Sequence, residues 1–313
     1  MLLNLFFLSL GIVLLYLGSE WMVRGAANLA LSLDVRPIIV GLTVVAFATS
    51  APELLVSLIA AFKGSSGVSL GNILGSNVAN IGLVLGTSAL VRPLKVDRKM
   101  MRREMPFMIG ASGVFWLICV DGRVGRADGI ILLAGLGFFL TLGIVTARRT
   151  DATGMVSGQS KEKDHLRHSF LVLVGMGGLI LGANLIVNSA IFIARSVGLS
   201  EIFIGLSIVA VGTSLPELAT SVVAGARGEH DISIGNVVGS NVFNICMVIG
   251  TVGLFNPMPV DMGLMRFEFP AMLFLSVLLF VFCSSGFIIK RIEGLLFVLG
   301  YFLFVSLSYW LGH

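Results

Sequence analysis

The chain has 313 residues, 56% of them hydrophobic and 12% charged, with a net charge of +4. A soluble domain carries about a quarter charged residues, so a water-soluble globular fold is excluded. The basic residues lie between apolar runs and form no patch, so the expected surroundings are a lipid bilayer and not nucleic acid.

About twenty apolar residues cross a bilayer as a helix, and the runs predict ten spans at roughly 4–24, 37–62, 69–91, 105–120, 127–146, 169–194, 201–226, 233–255, 267–285 and 292–311. Period-two alternation is absent, which argues against a β-barrel. The first span has no basic leader and a counterpart later in the chain, so it reads as a retained helix, not a signal peptide. Its Glu20 stands beside Trp21, as expected at a membrane interface.

The second span contains Ala48-Thr49-Ser50-Ala51-Pro52-Glu53. In the third, Asn72, Ser76 and Asn80 are four residues apart and share one helix face, while Asn77 points away toward another helix. After the fifth span, 147–168 is polar, Gly/Ser-containing and mixed in charge, which predicts a flexible cytoplasmic linker. Asn184 and Asn188 of the sixth span are lining or packing residues. The seventh span repeats the first motif as Gly212-Thr213-Ser214-Leu215-Pro216-Glu217, and the eighth repeats the stripe as Asn236, Ser240 and Asn244, with Asn241 set aside. Cys119, Cys246 and Cys283 lack metal-ligand spacing and read as small buried apolar residues. His165, His168, His230 and His313 fall in predicted loops or at the terminus, so no histidine metal site or proton relay is expected.

The two motifs belong to one long repeat. At a constant offset of 164 residues, Gly18 aligns with Gly182, Glu53 with Glu217, Asn72 with Asn236, Pro93 with Pro257 and Asp97 with Asp261. The chain therefore divides into halves 1–146 and 169–313, each with five spans. Five is odd, so the second half enters the membrane from the opposite side, and a pseudo-two-fold axis lies in the membrane plane. Roughly sixteen of the 21 Lys and Arg residues fall on the side reached after odd-numbered spans, which makes that side cytoplasmic and places both termini outside.

Glu53 and Glu217 then converge near the midplane. A charge there costs at least about 2.5–3.5 kcal/mol, and no Lys or Arg in the spans lies at similar depth to offset it. A proline within a helix removes one backbone bond and clashes with the carbonyl four residues back. Pro52 and Pro216 should therefore break helices 2 and 7 and free the carbonyls of Ala48 and Gly212. Thr49, Ser50, Thr213 and Ser214 add hydroxyls, and Ser76, Asn80, Ser240 and Asn244 add further oxygens; Ser57 and Ser221 read as packing hydroxyls. An oxygen-only set suits a hard cation, and Ca2+ takes six to eight oxygens. Two carboxylates balance one Ca2+ or two Na+, and an empty site would leave two charges at the midplane. Obligatory exchange follows from that penalty.

These segments resemble the α-repeats of the sodium/calcium exchanger family. The resemblance rests on Gly-Thr-Ser-Leu-Pro-Glu at 212–217, its variant at 48–53, and Gly-Ser-Asn-Val-x-Asn at 75–80 and 239–244. It implies alternating access, with spans 1 and 6 moving across an eight-helix core. It also implies ion sites formed by Thr49, Ser50, Glu53, Ser76, Asn80, Thr213, Ser214, Glu217, Ser240 and Asn244, one taking Ca2+ and those around it Na+. Asn244 replaces the Asp of potassium-dependent relatives, and Gly75 and Gly239 replace the Glu of proton/calcium relatives. The expectation is an all-α carrier acting as a single chain in the plasma or inner membrane. It would exchange Ca2+ for Na+, with no cofactor beyond the transported ions and no enzymatic activity. H+/Ca2+ or other divalent antiport is the alternative, a cation channel is a further one, and an intramembrane hydrolase is weaker still, since no second acid sits on the same face to complete a catalytic dyad within either half.

Overall fold

The computed structural model describes residues 2–33, 35–150, 161–196 and 210–311. The helices are α1 (Leu2–Ser32), α2 (Pro37–Phe62), α3 (Ser66–Val91), α4 (Arg98–Asp121), α5 (Arg126–Thr150), α6 (Lys161–Ser196), α7a (Ala210–Thr213), α7b (Leu215–Arg227), α8 (His230–Phe255), α9 (Met262–Ser284) and α10 (Arg291–Leu311). Nine of these described helices are long and apolar enough to cross a membrane. With α7a and α7b taken as one, the described helices form two sets of five. The first part of the seventh expected span, 201–209, lies outside the described residues.

Several helices overrun the apolar segments that announced them. α1 continues to Ser32, α5 to Thr150, and α6 begins at Lys161. The linker expected across 147–168 is thus helical at both ends, and His165 and His168 lie within α6, not in a loop. His230 opens α8. Backbone hydrogen bonding carries a helix past the last apolar residue, whereas hydropathy marks only the part in hydrocarbon.

The two halves meet as an inverted pair. α1 and α6 run antiparallel in backbone contact: a Cβ on Gly11 would lie 2.8 Å from the Gly182 carbonyl oxygen, and one on Gly18 would lie 2.8 Å from that of Gly175. Gly11 and Gly175 are repeat equivalents, as are Gly18 and Gly182, so each position meets the twin of the other. Small residues allow this approach where lipid supplies no hydrophobic drive between helices. Gly175→Val should push α1 away, since a Cβ there would come within 2.6 Å of both the Gly18 carbonyl and the Met22 amide. A melting temperature in detergent several degrees below wild type is expected, because overpacking costs about 1–3 kcal/mol. Gly177→Val, where a Cβ meets nothing within 4 Å among the described residues, controls for helix propensity, and equal melting of both variants would contradict the contact.

Two short stitches join the halves outside the helices. β1 (Leu94–Lys95) pairs antiparallel with β4 (Ile288–Ile289), and β2 (Arg123–Val124) pairs with β3 (Met258–Pro259). They tie the α3–α4 connection to the α9–α10 connection and the α4–α5 connection to the α8–α9 connection. No described strand ties α1 or α6 to anything. Backbone-close contacts add to the stitches, with Gly86 on α3 against Gly294 on α10, and Gly129 on α5 against Gly250 on α8. The centre is covered most completely by α3 and α8, whose apolar windows are 78% and 89% buried.

Candidate functional site

The expected helix breaks take two forms. α7 is interrupted at Ser214, after which α7b starts with Pro216 in its first turn, where proline's missing N–H costs nothing. α2 instead continues through Pro52, with wide turns upstream at Gly41–Val45. The Ala48 carbonyl still loses its donor, because Pro52 has no N–H to offer. Wide turns also occur at Asn80–Leu85 in α3 and Phe243–Ile249 in α8, so both stripe asparagines, Asn80 and Asn244, sit where the helix is under-wound. Such turns cluster at functional sites, and no residue type in these segments announces them.

Glu53 and Glu217 are each 0% exposed. None of the ion pairs among the described residues includes either acid. Both carboxylate oxygens of each, together with Ser50 Oγ, Ser214 Oγ, Asn80 Oδ1 and Asn244 Oδ1, are buried acceptors without a hydrogen-bond partner. Those eight oxygens fall into four twin pairs. Buried polar groups in folded proteins are nearly always bonded, so these open acceptors call for a partner the chain does not supply; Glu104 Oε2 and Glu268 Oε2 form a further open twin pair at the starts of their helical segments.

Polar side chains beside the expected site bind one another and reach the site residues Thr49, Ser240, Asn80 and Asn244. Asn72 Nδ2 donates to Ser57 Oγ at 3.0 Å and to the Glu53 carbonyl at 3.4 Å; Asn236 Nδ2 makes the twin bonds to Ser221 Oγ at 2.9 Å and the Glu217 carbonyl at 3.4 Å. These bonds fasten each glutamate helix to its neighbouring stripe. Ser57 and Ser221 thus serve packing, as read from their spacing. Thr49 Oγ1 donates to Asn236 Oδ1 at 3.1 Å and lies 3.2 Å from Ser240 Oγ, joining α2 to α8. Asn80 Nδ2 donates to Asn241 Oδ1 at 3.0 Å and Asn244 Nδ2 to Asn77 Oδ1 at 3.1 Å, each bond crossing between the halves.

The twins are not equally buried. Thr49 is 1% exposed, whereas its counterpart Thr213 is only partly buried. Ala48, Gly212 and Ser76 are buried at their expected positions, and Gly212 packs against Val187 of α6. All twelve expected site residues are described, on α2, α3, α7a, α7b and α8 and in the Ser214 break between α7a and α7b.

Some expectations need correction. Glu20, expected at the membrane interface beside Trp21, is buried and held by the Arg227 guanidinium through both carboxylate oxygens, with Arg24 also in reach. Distance along the chain hid this pair, since 207 residues separate its members. Asn184 bonds back to the Ile180 carbonyl on an exposed face, and Asn188 is exposed, so neither lines the centre. Two further buried acids, Glu104 and Glu268, are repeat twins at the starts of helical segments, and Glu268 accepts from Ser308 Oγ at 2.9 Å. The three cysteines are buried and free, and no cluster of three His, Cys, Asp or Glu side chains that could hold a metal exists among the described residues.

Comparison with known proteins agrees with this layout. The family described as "Sodium/calcium exchanger protein" matches residues 3–145 and again 168–310. The chain is 34% identical to the inner membrane protein YrbG of Escherichia coli, covering 100% of this chain and 98% of that one. It is 31% identical to the sodium/calcium exchanger MaX1 of Methanosarcina acetivorans, covering 98% and 99%. Among solved structures it is similar to the sodium-calcium exchanger NCX_Mj soaked with Na+ and Sr2+, with a TM-score of 0.86, 31% identity, and coverage of 97% and 98%.

Proposed function

The chain belongs to the sodium/calcium exchanger family of membrane antiporters, and on that premise we propose that it exchanges Na+ for Ca2+ by alternating access. The observation that carries this reading is the set of eight unpartnered buried oxygens around Glu53 and Glu217. Acceptors without donors match a cation, and their hardness matches Ca2+ or Na+ over softer metals.

Glu53 and Glu217 supply the charge that balances one Ca2+ or two Na+. Ser50, Ser214, Asn80 and Asn244 supply neutral oxygens, and the carbonyls at Ala48 and Gly212 complete the shell. Thr49, Thr213, Ser76 and Ser240 border it and take part as the ions change. Two like charges repel in the empty site, so reorientation without a cation is penalised and exchange becomes obligatory. The moving part is the α1–α6 pair, which no described strand stitches to the core. The halves 1–146 and 169–313 form the two repeats, with 147–168 between them on the cytoplasmic side and both termini outside. A plasma or inner membrane fits the name of the E. coli relative. One chain contains every ligand.

Purified protein in proteoliposomes loaded with Na+ should take up radioactive Ca2+ from Na+-free buffer, and external Na+ should suppress the uptake. Uptake driven by a pH gradient and indifferent to Na+ would replace this reading with proton-coupled antiport. Steady conductance under voltage would replace it with a channel.

A further inference from the structure

Two pairs of side chains outside the ion shell decide which end of Asn80 and Asn244 faces the ions. An amide can present either its oxygen or its NH2, and only the oxygen suits a cation. Nothing about Asn80 or Asn244 alone selects one end, so the choice comes from the bonding network around them.

The network starts at groups that can only accept. Asn241 Nδ2 lies 3.4 Å from the Asn77 backbone carbonyl and 3.7 Å from Met108 Sδ. Neither has a proton to give, so Asn241 must turn its NH2 toward them and its Oδ1 toward Asn80. Asn80 answers with its NH2 at 3.0 Å, which leaves Asn80 Oδ1 facing away, buried and unpartnered. The other half repeats the chain of choices. Asn77 Nδ2 lies 3.4 Å from Met272 Sδ, which turns Asn77 Oδ1 toward Asn244 Nδ2 at 3.1 Å and leaves Asn244 Oδ1 unpartnered. Met108 and Met272 are themselves equivalents at the repeat offset of 164, as are Asn77 and Asn241. Each relay also crosses the pseudo-two-fold axis, so a residue in one half orients the amide of the other.

We propose that Asn77 and Asn241, backed by Met272 and Met108, are positioning residues that lock the site amides oxygen-inward and thereby set cation affinity. The proposal rests on the ion-site reading above. Without the lock, either amide can rotate half a turn and offer a donor to the ion.

The test is calorimetric titration of Ca2+ into the full-length chain in Na+-free detergent. Asn77→Leu should weaken Ca2+ binding about tenfold, the scale of one lost charge-assisted contact. Asn77→Asp, which retains an acceptor toward Asn244, should stay within about threefold of wild type or bind more tightly. The deciding measurement adds Asn77→Leu to an Asn244→Asp background. A carboxylate has two equivalent oxygens and nothing to orient, so the second change should then cost under about twofold. An equal loss in both backgrounds would mean that Asn77 merely packs, and would overturn the lock. Met272→Leu conserves volume while removing the sulfur acceptor, and gives a second route should Asn77→Leu fold poorly; it should weaken binding about threefold, and unchanged binding there overturns the relay's outer step. Wild-type Ca2+ binding with unaltered affinity in Asn77→Leu overturns this proposal alone. No Ca2+ binding by wild type overturns it together with the assigned function.

Discussion

Glu53→Gln or Glu217→Gln should reduce Na+-dependent Ca2+ uptake by about a hundredfold or more, on the order of 3 kcal/mol at 1.4 kcal/mol per tenfold. Each substitution removes one of the two charges that balance a dication in a site with no other counter-charge. The loss should not be a folding defect. No donor lies at full hydrogen-bonding geometry to either carboxylate, and where Thr49 stands beside Glu217 the isosteric amide keeps an oxygen for it, so little structural contact is lost. Removing one of two repelling buried charges should even raise the melting temperature of the ion-free protein. Wild type should gain thermal stability on adding Ca2+, because a ligand that binds only the folded state stabilises it by mass action, and the glutamine variants should gain little. Normal uptake by either variant would refute the site. An equally large Ca2+-induced stabilisation in both variants would move the ion elsewhere.

Gly239→Val should impair transport nearly as strongly, although the residue contributes no ligand. A Cβ at Gly239 would lie 2.7 Å from both Ala46 Cβ and the Leu42 carbonyl oxygen of α2. One of these is backbone and cannot rotate aside, so α2 must shift. The next residue, Ser240, lies 3.2 Å from Thr49 Oγ1, and Asn236, one turn earlier, accepts from the same hydroxyl at 3.1 Å. A displacement of even half an ångström breaks those contacts and swings Ser50 and Glu53 with them. Gly239→Ala already introduces the clashing atom and Val adds two more, so uptake should fall from Gly to Ala to Val, reaching roughly tenfold or greater loss at Val. Uptake is compared per monodisperse protein in proteoliposomes. Wild-type rates for the valine variant would mean that α2 does not bear on α8 as described.

Much of this was legible in the residues. The bounds of the second span, 37–62, coincide with α2, because Pro37 and the polar turn after Phe62 mark both ends chemically. The pairing of Glu53 with Glu217 followed from an odd span count and a constant offset, without any coordinate. The glutamates' isolation from Lys and Arg was equally readable. By contrast, the ion pair of Glu20 was hidden because its partner Arg227 is remote in the chain. A carboxylate at the edge of an apolar run looks the same whether it faces headgroups or a guanidinium. The opening of helix 2 at Pro52 was also overdrawn, since the helix absorbs the missing bond and places its wide turns upstream.

Composition, periodicity and self-similarity by themselves determined the membrane bundle, the inverted halves and the twin acids. Those are properties of residue type and spacing, which a linear chain carries in full. Which amide end faces the centre, where α3 and α8 under-wind, and how Thr49 joins α2 to α8 were decided only in three dimensions. Each depends on a donor meeting an acceptor from another helix, and a sequence records the groups but not their meeting. Asn77 and Asn241 illustrate the division: their spacing showed that they turn away from the stripe, and only the packed halves showed that they turn toward each other's asparagines.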